Sequence, residues 1–308
     1  MIATAPTSPP TDAPVFQPDL IWALLLEVRQ RIRTLAAEPA PLGLGVDGQG
    51  RPIVVPIDDP ATLVEITRDG SWNARVPVAE PGAEWLDLYL PMALACRERP
   101  LTVAHLGQSL DGRIATENGA SCYVTGPENL THLHRMRAMC GAIVVGAATV
   151  ECDDPRLTTR RVTGLNPVRV AIDPRRRLAA DHGVFQDRAA PTLLVCAEER
   201  AATPAPGGAE IIGVPCEKGR LNPRDILRRL HDRGLYGIFI EGGGRTVSAF
   251  LEQGLLDRLQ LTVAPLIIGS GRPGITLPPI QDLSQGLRPR HRRYLLGEDV
   301  LFDCRFRD

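Results

Sequence analysis

The sequence predicts an α/β protein: a mostly parallel central sheet flanked by helices, preceded by a small N-terminal α+β extension. Three observations carry this. From Pro100 onward short β-branched runs recur with helical patterns between several of them, the alternation expected of a largely parallel sheet covered on both faces. Residues 1–99 lack that alternation. The 308 residues are 44% hydrophobic, enough for one large domain with an appendage.

Residues 1–18, MIATAPTSPPTDAPVFQP, are rich in Pro and Thr and are expected to form a disordered tail, because they supply little core. Residues 19–99 form the expected N-terminal extension. DLIWALLLEVRQRIRTLAAE, from Asp19 to Glu38, reads as a helix that Asp19 caps and Pro39 closely follows. PLGLGVDGQGRPIVVPIDD reads as two short extended pieces around a Gly-rich turn. Residues 61–99 are mixed, with WLDLYLPMALACRER predicted as a helix broken at Pro91. No chemistry stands out in residues 1–99, and Trp22, Trp72 and Trp85 suit core or interface positions.

Residues 100–308 carry the predicted strands LTVAHL, AIVVGA, PVRVAID, TLLVC, EIIGV, YGIFIE, LQLTVAPLII and DVLFDCRF. Helices are predicted over Glu128 to Cys140, Asp225 to Arg233 and Thr246 to Gln253. The last run, Asp299 to Arg307, alternates apolar and polar residues and fits an antiparallel edge strand.

Composition excludes several functions. The formal net charge is −1 and aromatics are 4% of the chain, so neither nucleic acid nor an anionic membrane has an electrostatic or stacking surface to meet. The seven cysteines are scattered, odd in number and without C-x-x-C spacing, which argues for free thiols in a reducing cytoplasm. The N-terminus lacks a signal peptide's basic start and apolar run. No uninterrupted apolar stretch approaches the roughly 20 residues needed to span a bilayer.

Four stretches carry candidate chemistry. SLDGRIA, Ser109 to Ala115, follows a strand and reads as a turn. Beyond it, in GASCYVTGPENLTHLHRMR, Ser121 and Tyr123 precede a helix opened by Thr125 or Pro127-Glu128, whose free N–H groups can face an anion. His132 and His134 lie at i, i+2 and cannot share a metal.

GAATVECDDPRLTTR places Thr149 where a hydroxyl can meet a phosphate or cap a turn, then sets Asp153 and Asp154 side by side. A divalent cation wants more oxygen ligands than this pair supplies, so no metal is expected. VRVAIDPRRR ends a strand in Asp173-Pro174 followed by three arginines. These suit equally a solvated face and a 2′-phosphate site.

YGIFIEGGGRTVSAFLEQGLLD runs a buried strand into Glu241, three glycines and a helix. The N–H groups of Arg245, Thr246 and Val247 are expected to face a bound phosphate. It is neither a dinucleotide fingerprint nor a Walker A loop. Hydrolase elbows and zinc-deaminase signatures are absent from the sequence.

Together these stretches, with HRMRA and NPVRVAID, resemble the riboflavin-biosynthesis reductase domain (the RibD C-terminal domain), whose fold is like that of dihydrofolate reductase. The likeness runs from about Pro100 to Arg307. It implies an NADPH-dependent oxidoreductase that reduces the ring-opened ribose of 5-amino-6-(5-phosphoribosylamino)uracil, or of its 2,5-diamino form, to a ribityl chain. It implies that Ser121, Arg137, Leu157, Arg160 and Glu241 contact substrate, with His105 at a position usually lysine. Gly107, Tyr123, Thr149, Asp153 and the loop from Gly243 through Gly244, Arg245, Thr246 and Val247 to Ala249 would hold the cofactor. Pro174 stands where the family often has serine, and Arg175, Arg176 or Arg177 is expected to compensate near the 2′-phosphate. Glu241 and Asp153 are the candidates for catalytic proton transfer. Asp111 is expected to brace its turn, and Asp154 the turn before Pro155.

Family members are commonly dimers, so a homodimer is expected, with the apolar LQLTVAPLII run as a pairing element. The usual bacterial N-terminal partner is a deaminase, and residues 1–99 do not resemble one. His105 and that extension motivate two alternatives: the same fold acting on a pterin, dihydrofolate or another pyrimidine, or a non-catalytic nucleotide-binding relative.

Overall fold

The computed structural model describes residues 16–34, 41–67, 70–122 and 124–307. The chain divides into two compact units, Met1–Leu94 and Ala95–Asp308, a boundary a few residues before the change of pattern at Pro100.

In the first unit α1 (Pro18–Thr34) is followed by β1 (Leu42–Val46), β2 (Pro52–Pro56), β3 (Thr62–Ile66), β4 (Trp72–Ala74) and α2 (Gly82–Ala93). The strands form an antiparallel sheet in the order β2-β1-β3-β4. Helix α1 buries Ile21, Leu24, Leu25, Val28 and Ile32, the one-sided spacing of an amphipathic helix. Trp22 meets Trp85 and Tyr89 edge-on, with ring centroids 6.3 and 5.7 Å away.

Two expectations are corrected here. Phe16, placed in the tail, is buried and bridges to Val78; an aromatic ring after the Pro/Thr run finds a core position. Residues 1–15 of the expected tail, like Glu38 and Pro39, lie outside the described residues. Helix α2 runs through Pro91 instead of breaking there. Pro91 lies so close to the helix end that little of the helix follows it, and Leu94 N–H still bonds Leu90 O at 2.9 Å.

The second unit runs β5 (Leu101–Ser109), β6 (Arg113–Thr116), α3 (Pro127–Met139), β7 (Ala142–Gly146), α4 (Ala147–Asp153), β8 (Val168–Ile172), α5 (Gly183–Gln186) and β9 (Thr192–Ala197). It continues through β10 (Glu210–Val214), β11 (Cys216–Glu217), β12 (Arg220–Leu221), α6 (Pro223–His231), β13 (Gly237–Glu241), α7 (Gly244–Glu252) and β14 (Arg258–Ala264). The last elements are β15 (Gly271–Pro273), β16 (Arg290–Leu296) and β17 (Asp299–Arg305).

A nine-stranded sheet has the order β10-β9-β8-β7-β13-β5-β14-β17-β16. It is parallel from β10 through β14. Beyond that β17 runs antiparallel to β14, and β16 antiparallel to β17. The central strands are buried on both faces: Ile143, Val144, Ile238, Phe239 and Ile240 are 0% exposed, as a parallel sheet between helices demands. The chain starts in β5, crosses to β7 and works outward to β10. It then returns to insert β13 between β7 and β5. The order reverses there, and in open α/β sheets the carboxyl ends of the strands at such a point are where ligands bind.

The expected antiparallel last strand, β17, is present but does not lie at the edge; β16 does. Strand β16 reads RHRRYLL, with its first four residues exposed and Tyr294 buried. Its charge hides the strand in the sequence, and the same charge suits an outermost strand with unpaired backbone groups.

Phe239 lies mid-strand in the most enclosed part of this sheet. Phe239→Ala is expected to cost about 3–5 kcal/mol of unfolding free energy, read by denaturant titration of the full chain.

Candidate functional site

Strand β13 ends at Glu241, and helix α3 delivers Arg137 from its last turn. Arg137 Nε donates to Glu241 Oε2 at 2.7 Å, and Nη2 donates to Oε1, a two-pronged pairing. The two side chains are 8% and 14% exposed. Burial works to lower the Arg137 pKa, but the charge and hydrogen bonds of Glu241 outweigh it and the net shift is upward. Both carboxylate oxygens of Glu241 are engaged, a geometry for anchoring a guanidinium rather than for passing a proton.

The third nitrogen, Arg137 Nη1, donates to Thr158 O at 3.1 Å. Thr158 also holds a second cation, since Arg160 Nη1 donates to its Oγ1 at 2.6 Å. Two guanidinium groups therefore share one buried threonine as their support. Burial and then the neighbouring Arg137 charge lower the Arg160 pKa, as expected where like charges are gathered. Thr158 escaped the sequence reading; its place inside LTTR, between Leu157 and Arg160, was the available signal.

Leu157, expected against the substrate, is 1% exposed with φ +54°. Its side chain belongs to the core, and its left-handed backbone, uncommon for leucine, leads into Thr158.

On the other flank Ser121 Oγ donates to Asp153 Oδ1 at 2.9 Å. The three acids of VECDD go separate ways. Glu151 lies 3.8 Å from Arg177, Asp153 meets Ser121, and Asp154 Oδ1 accepts Gly183 N–H at 2.7 Å. Asp154 thus braces the start of α5 rather than the turn before Pro155, because its own φ of +37° turns it away at the end of α4. Among the described residues no group of three or more His, Cys, Asp or Glu is arranged to hold a metal.

The cofactor candidates gather where β7 enters α4 and β13 enters α7. Gly242 and Gly243 have φ of +90° and +68°, open to glycine at little cost. A Cβ on Gly243 would lie 3.0 Å from Thr149 Oγ1, and one on Gly146 would lie 2.6 Å from Thr246 Oγ1. Thr149, Thr246 and bare backbone therefore line one small cradle. Gly107 faces the other flank: a Cβ there would come within 2.7 Å of Thr125 Cγ2. Tyr123 lies outside the described residues.

The expected cradle of amides is corrected in part. Thr246 N–H and Val247 N–H both donate to Gly243 O, at 2.8 and 3.1 Å, and Val247 is 0% exposed. Helix α7 starts at Gly244, earlier than expected, so these amides close its first turn. Arg245 is exposed at the helix start.

The arginines after β8 separate by role. Arg176 donates to the carbonyls of Arg200, Thr203 and Pro204 at 3.1, 3.0 and 2.7 Å and is structural. Arg177 leans toward Glu151. Arg175 is exposed, beside Pro174.

His105, expected to face the substrate, is 3% exposed inside the fold. Its Nε2 lies 3.0 Å from Asn129 Oδ1 and 3.1 Å from Thr262 Oγ1. His132 and Phe239 close over it, with ring centroids 5.7 and 6.5 Å away. Burial lowers its pKa to about 4 against the opposing hydrogen bond of Asn129. The alternation of β5 turns this side chain under α3, which a run of apolar neighbours concealed. Asp111 accepts from Ser109 Oγ and from the N–H groups of Ile268 and Gly269, tying two loops together.

The model of the RibD C-terminal domain family matches residues 100–295. The chain belongs to this family. The 2,5-diamino-6-ribosylamino-4(3H)-pyrimidinone 5′-phosphate reductase of Methanothermobacter thermautotrophicus is 36% identical over 216 residues, 67% of this chain and 97% of that protein. The riboflavin biosynthesis protein RibD of Aquifex aeolicus is 32% identical, over 81% of this chain and 71% of that one. A Thermotoga maritima crystal structure, a diaminohydroxyphosphoribosylaminopyrimidine deaminase/5-amino-6-(5-phosphoribosylamino)uracil reductase, superposes with a TM-score of 0.59 at 25% identity. That match covers 75% of this chain and 64% of the Thermotoga chain. Family membership and the mixed α/β fold follow directly. The residues Arg137, Glu241, Ser121, Asp153, Thr149 and Arg160 lie inside the matched segment.

Glu241→Gln strips the buried Arg137 of its counter-charge and is expected to destabilise by about 3–5 kcal/mol, measured by denaturant unfolding. Acid should also unfold the protein early. Burial holds His105 and His132 at about 4 and about 3, below the ordinary 6.5. The unfolded chain takes up protons first, so this contribution is full above pH 6.5 and is lost as pH falls toward 4. Replacing either histidine with glutamine should flatten the slope of stability against pH in that window.

Proposed function

We propose that this chain is the reductase that converts the ribosyl group of 2,5-diamino-6-ribosylamino-4(3H)-pyrimidinone 5′-phosphate, or of its deaminated counterpart, to a ribityl chain in riboflavin biosynthesis. The observation that carries this reading is the exposed guanidinium of Arg160, seated on Thr158, which the buried Arg137–Glu241 pair holds beside the carboxyl end of β13. A planar fork matches phosphate oxygens, and the named relatives reduce a phosphorylated pyrimidine. Family membership gives the reaction class.

NADPH is the proposed hydride donor, and the residues present fit it. At Gly146 and Gly243 the hydroxyls of Thr246 and Thr149 lie close against bare backbone, a set of small polar groups that suits phosphate oxygens, and exposed Arg175 with Arg177 suits a 2′-phosphate. NADPH held there would supply the hydride for a sugar carbon of the ring-opened ribose, with solvent as the source of the accompanying proton. The protein's part is orientation and charge. Glu241 sets the angle of Arg137. Arg160 takes the substrate phosphate. Ser121, oriented by Asp153, offers a hydroxyl between the two ligands. His105 has no place in this scheme, and its replacement of the family lysine gives no reason to move the substrate to a pterin.

We further place the protein in the cytoplasm as a homodimer. Seven free cysteines suit a reducing compartment, and among the described residues no helix is long and apolar enough to cross a membrane. Exposed Leu110, Leu266 and Ile267, 62%, 39% and 72% accessible, form an apolar surface of the kind a second copy covers.

Purified protein with NADPH should oxidise the cofactor with the phosphorylated pyrimidine and leave dihydrofolate untouched. Turnover of neither, with no NADPH-dependent rise in Tm, overturns the reading. Arg175→Ala should lower the NADPH over NADH preference in kcat/KM by about tenfold or more, the scale of one charge-assisted contact; an unchanged ratio removes Arg175 from the cofactor site.

A further inference from the structure

The Arg160 guanidinium sits on a loop without regular secondary structure between α4 and β8. Its side chain is held from one side through Thr158. Its backbone is held from another. His134 Nδ1 accepts Arg160 N–H at 2.8 Å and lies 3.4 Å from Arg161 N. His134 stands three residues before Arg137 on α3, so the two side chains leave the same face of the helix. One grips the loop backbone, and the other grips the Thr158 carbonyl of the same loop.

We propose that His134 is a positioning residue for substrate binding, a neutral imidazole that pins the backbone of Arg160 so that its guanidinium meets the substrate phosphate. The inference rests on the reading of Arg160 given above and adds a residue that touches neither substrate nor cofactor.

The chemistry of the pin is specific. Accepting an amide proton requires a lone pair on Nδ1, so the ring is neutral with its proton on Nε2. His134 is 6% exposed. Burial first, and then the charges of Arg137 and Arg160, hold its pKa down to about 4, while Glu241 works against them. The arginines that collect around the phosphate site thus keep the lone pair available. The required acceptor is three bonds beyond Cα, at the δ position. Asparagine carries an oxygen at that position. Glutamine carries it one bond farther out and misses the Arg160 amide.

The test uses the full chain, saturating NADPH and varied phosphorylated pyrimidine, with NADPH affinity measured separately by fluorescence titration. His134→Leu and His134→Gln are expected to raise KM about tenfold, the scale of a lost buried hydrogen bond, with kcat within about twofold and NADPH affinity unchanged. His134→Asn should recover KM to within about threefold of the starting protein. Combined with Arg160→Ala, His134→Gln should add little, because both act through one guanidinium. An unchanged KM in His134→Gln, multiplicative losses in the double variant, or equal losses of NADPH and substrate affinity would each overturn the proposal. Arg160→Ala alone separates the two levels. If its KM is unchanged, the phosphate role of Arg160 fails and the proposal falls with it; if its KM rises while His134→Gln is silent, only the pin is wrong. Should His134→Leu not fold, His134→Gln and His134→Asn, both polar and similar in bulk, carry the comparison.

Discussion

The site hangs on the buried pairing of Arg137 with Glu241. It ties the last turn of α3 to the carboxyl end of β13, the strand inserted between β7 and β5. A charge taken from water into this position is costly unless its partner meets it with good geometry, so the helix and the strand are held in one mutual arrangement. Arg137 then has one nitrogen left, and it sets Thr158. From Thr158 the order passes to Arg160. A single ion pair thereby transmits the rigidity of the sheet to a loop that has no regular structure of its own.

The two flanks of the candidate site use different means. The arginine side is built from side chains on side chains, supported by α3. The glycine side is built from backbone, where α4 and α7 begin close together and threonine hydroxyls fill the space that larger residues would occupy. A guanidinium fork and a helix start are each good anion partners. Between them Ser121 and Asp153 bring the loop before α3 against the end of α4.

Much of this was legible in the chain and some was not, for physical reasons. Strands β7, β9 and β13 announced themselves because a strand buried on both faces must be apolar throughout. Strand β16 did not, because RHRRYLL satisfies an edge rather than a core. His105 was misplaced because a continuous apolar run does not say which face each residue takes. Thr246 and Val247 were assigned to a ligand because the triple glycine suggests a late helix start, whereas α7 begins within it. The His134 contact with Arg160 spans 26 residues of sequence, and no local pattern encodes a side chain gripping so remote an amide. The stretch GAATVECDDPRLTTR carries Thr149, Asp153, Thr158 and Arg160 close together in sequence, and the fold alone sets which neighbour each of them meets.

The outer strand β16 has a colloidal consequence. A wide sheet that ends in an open strand offers a template on which another copy can extend the ladder. Here Arg290, Arg292 and Arg293 are all exposed along that strand, so two copies approaching edge to edge bring like charges into register at the moment of encounter. Short-range repulsion of this kind fades as counterions shorten the Debye length. The ionic strength of the medium therefore sets how firmly the molecule keeps its sheet to itself.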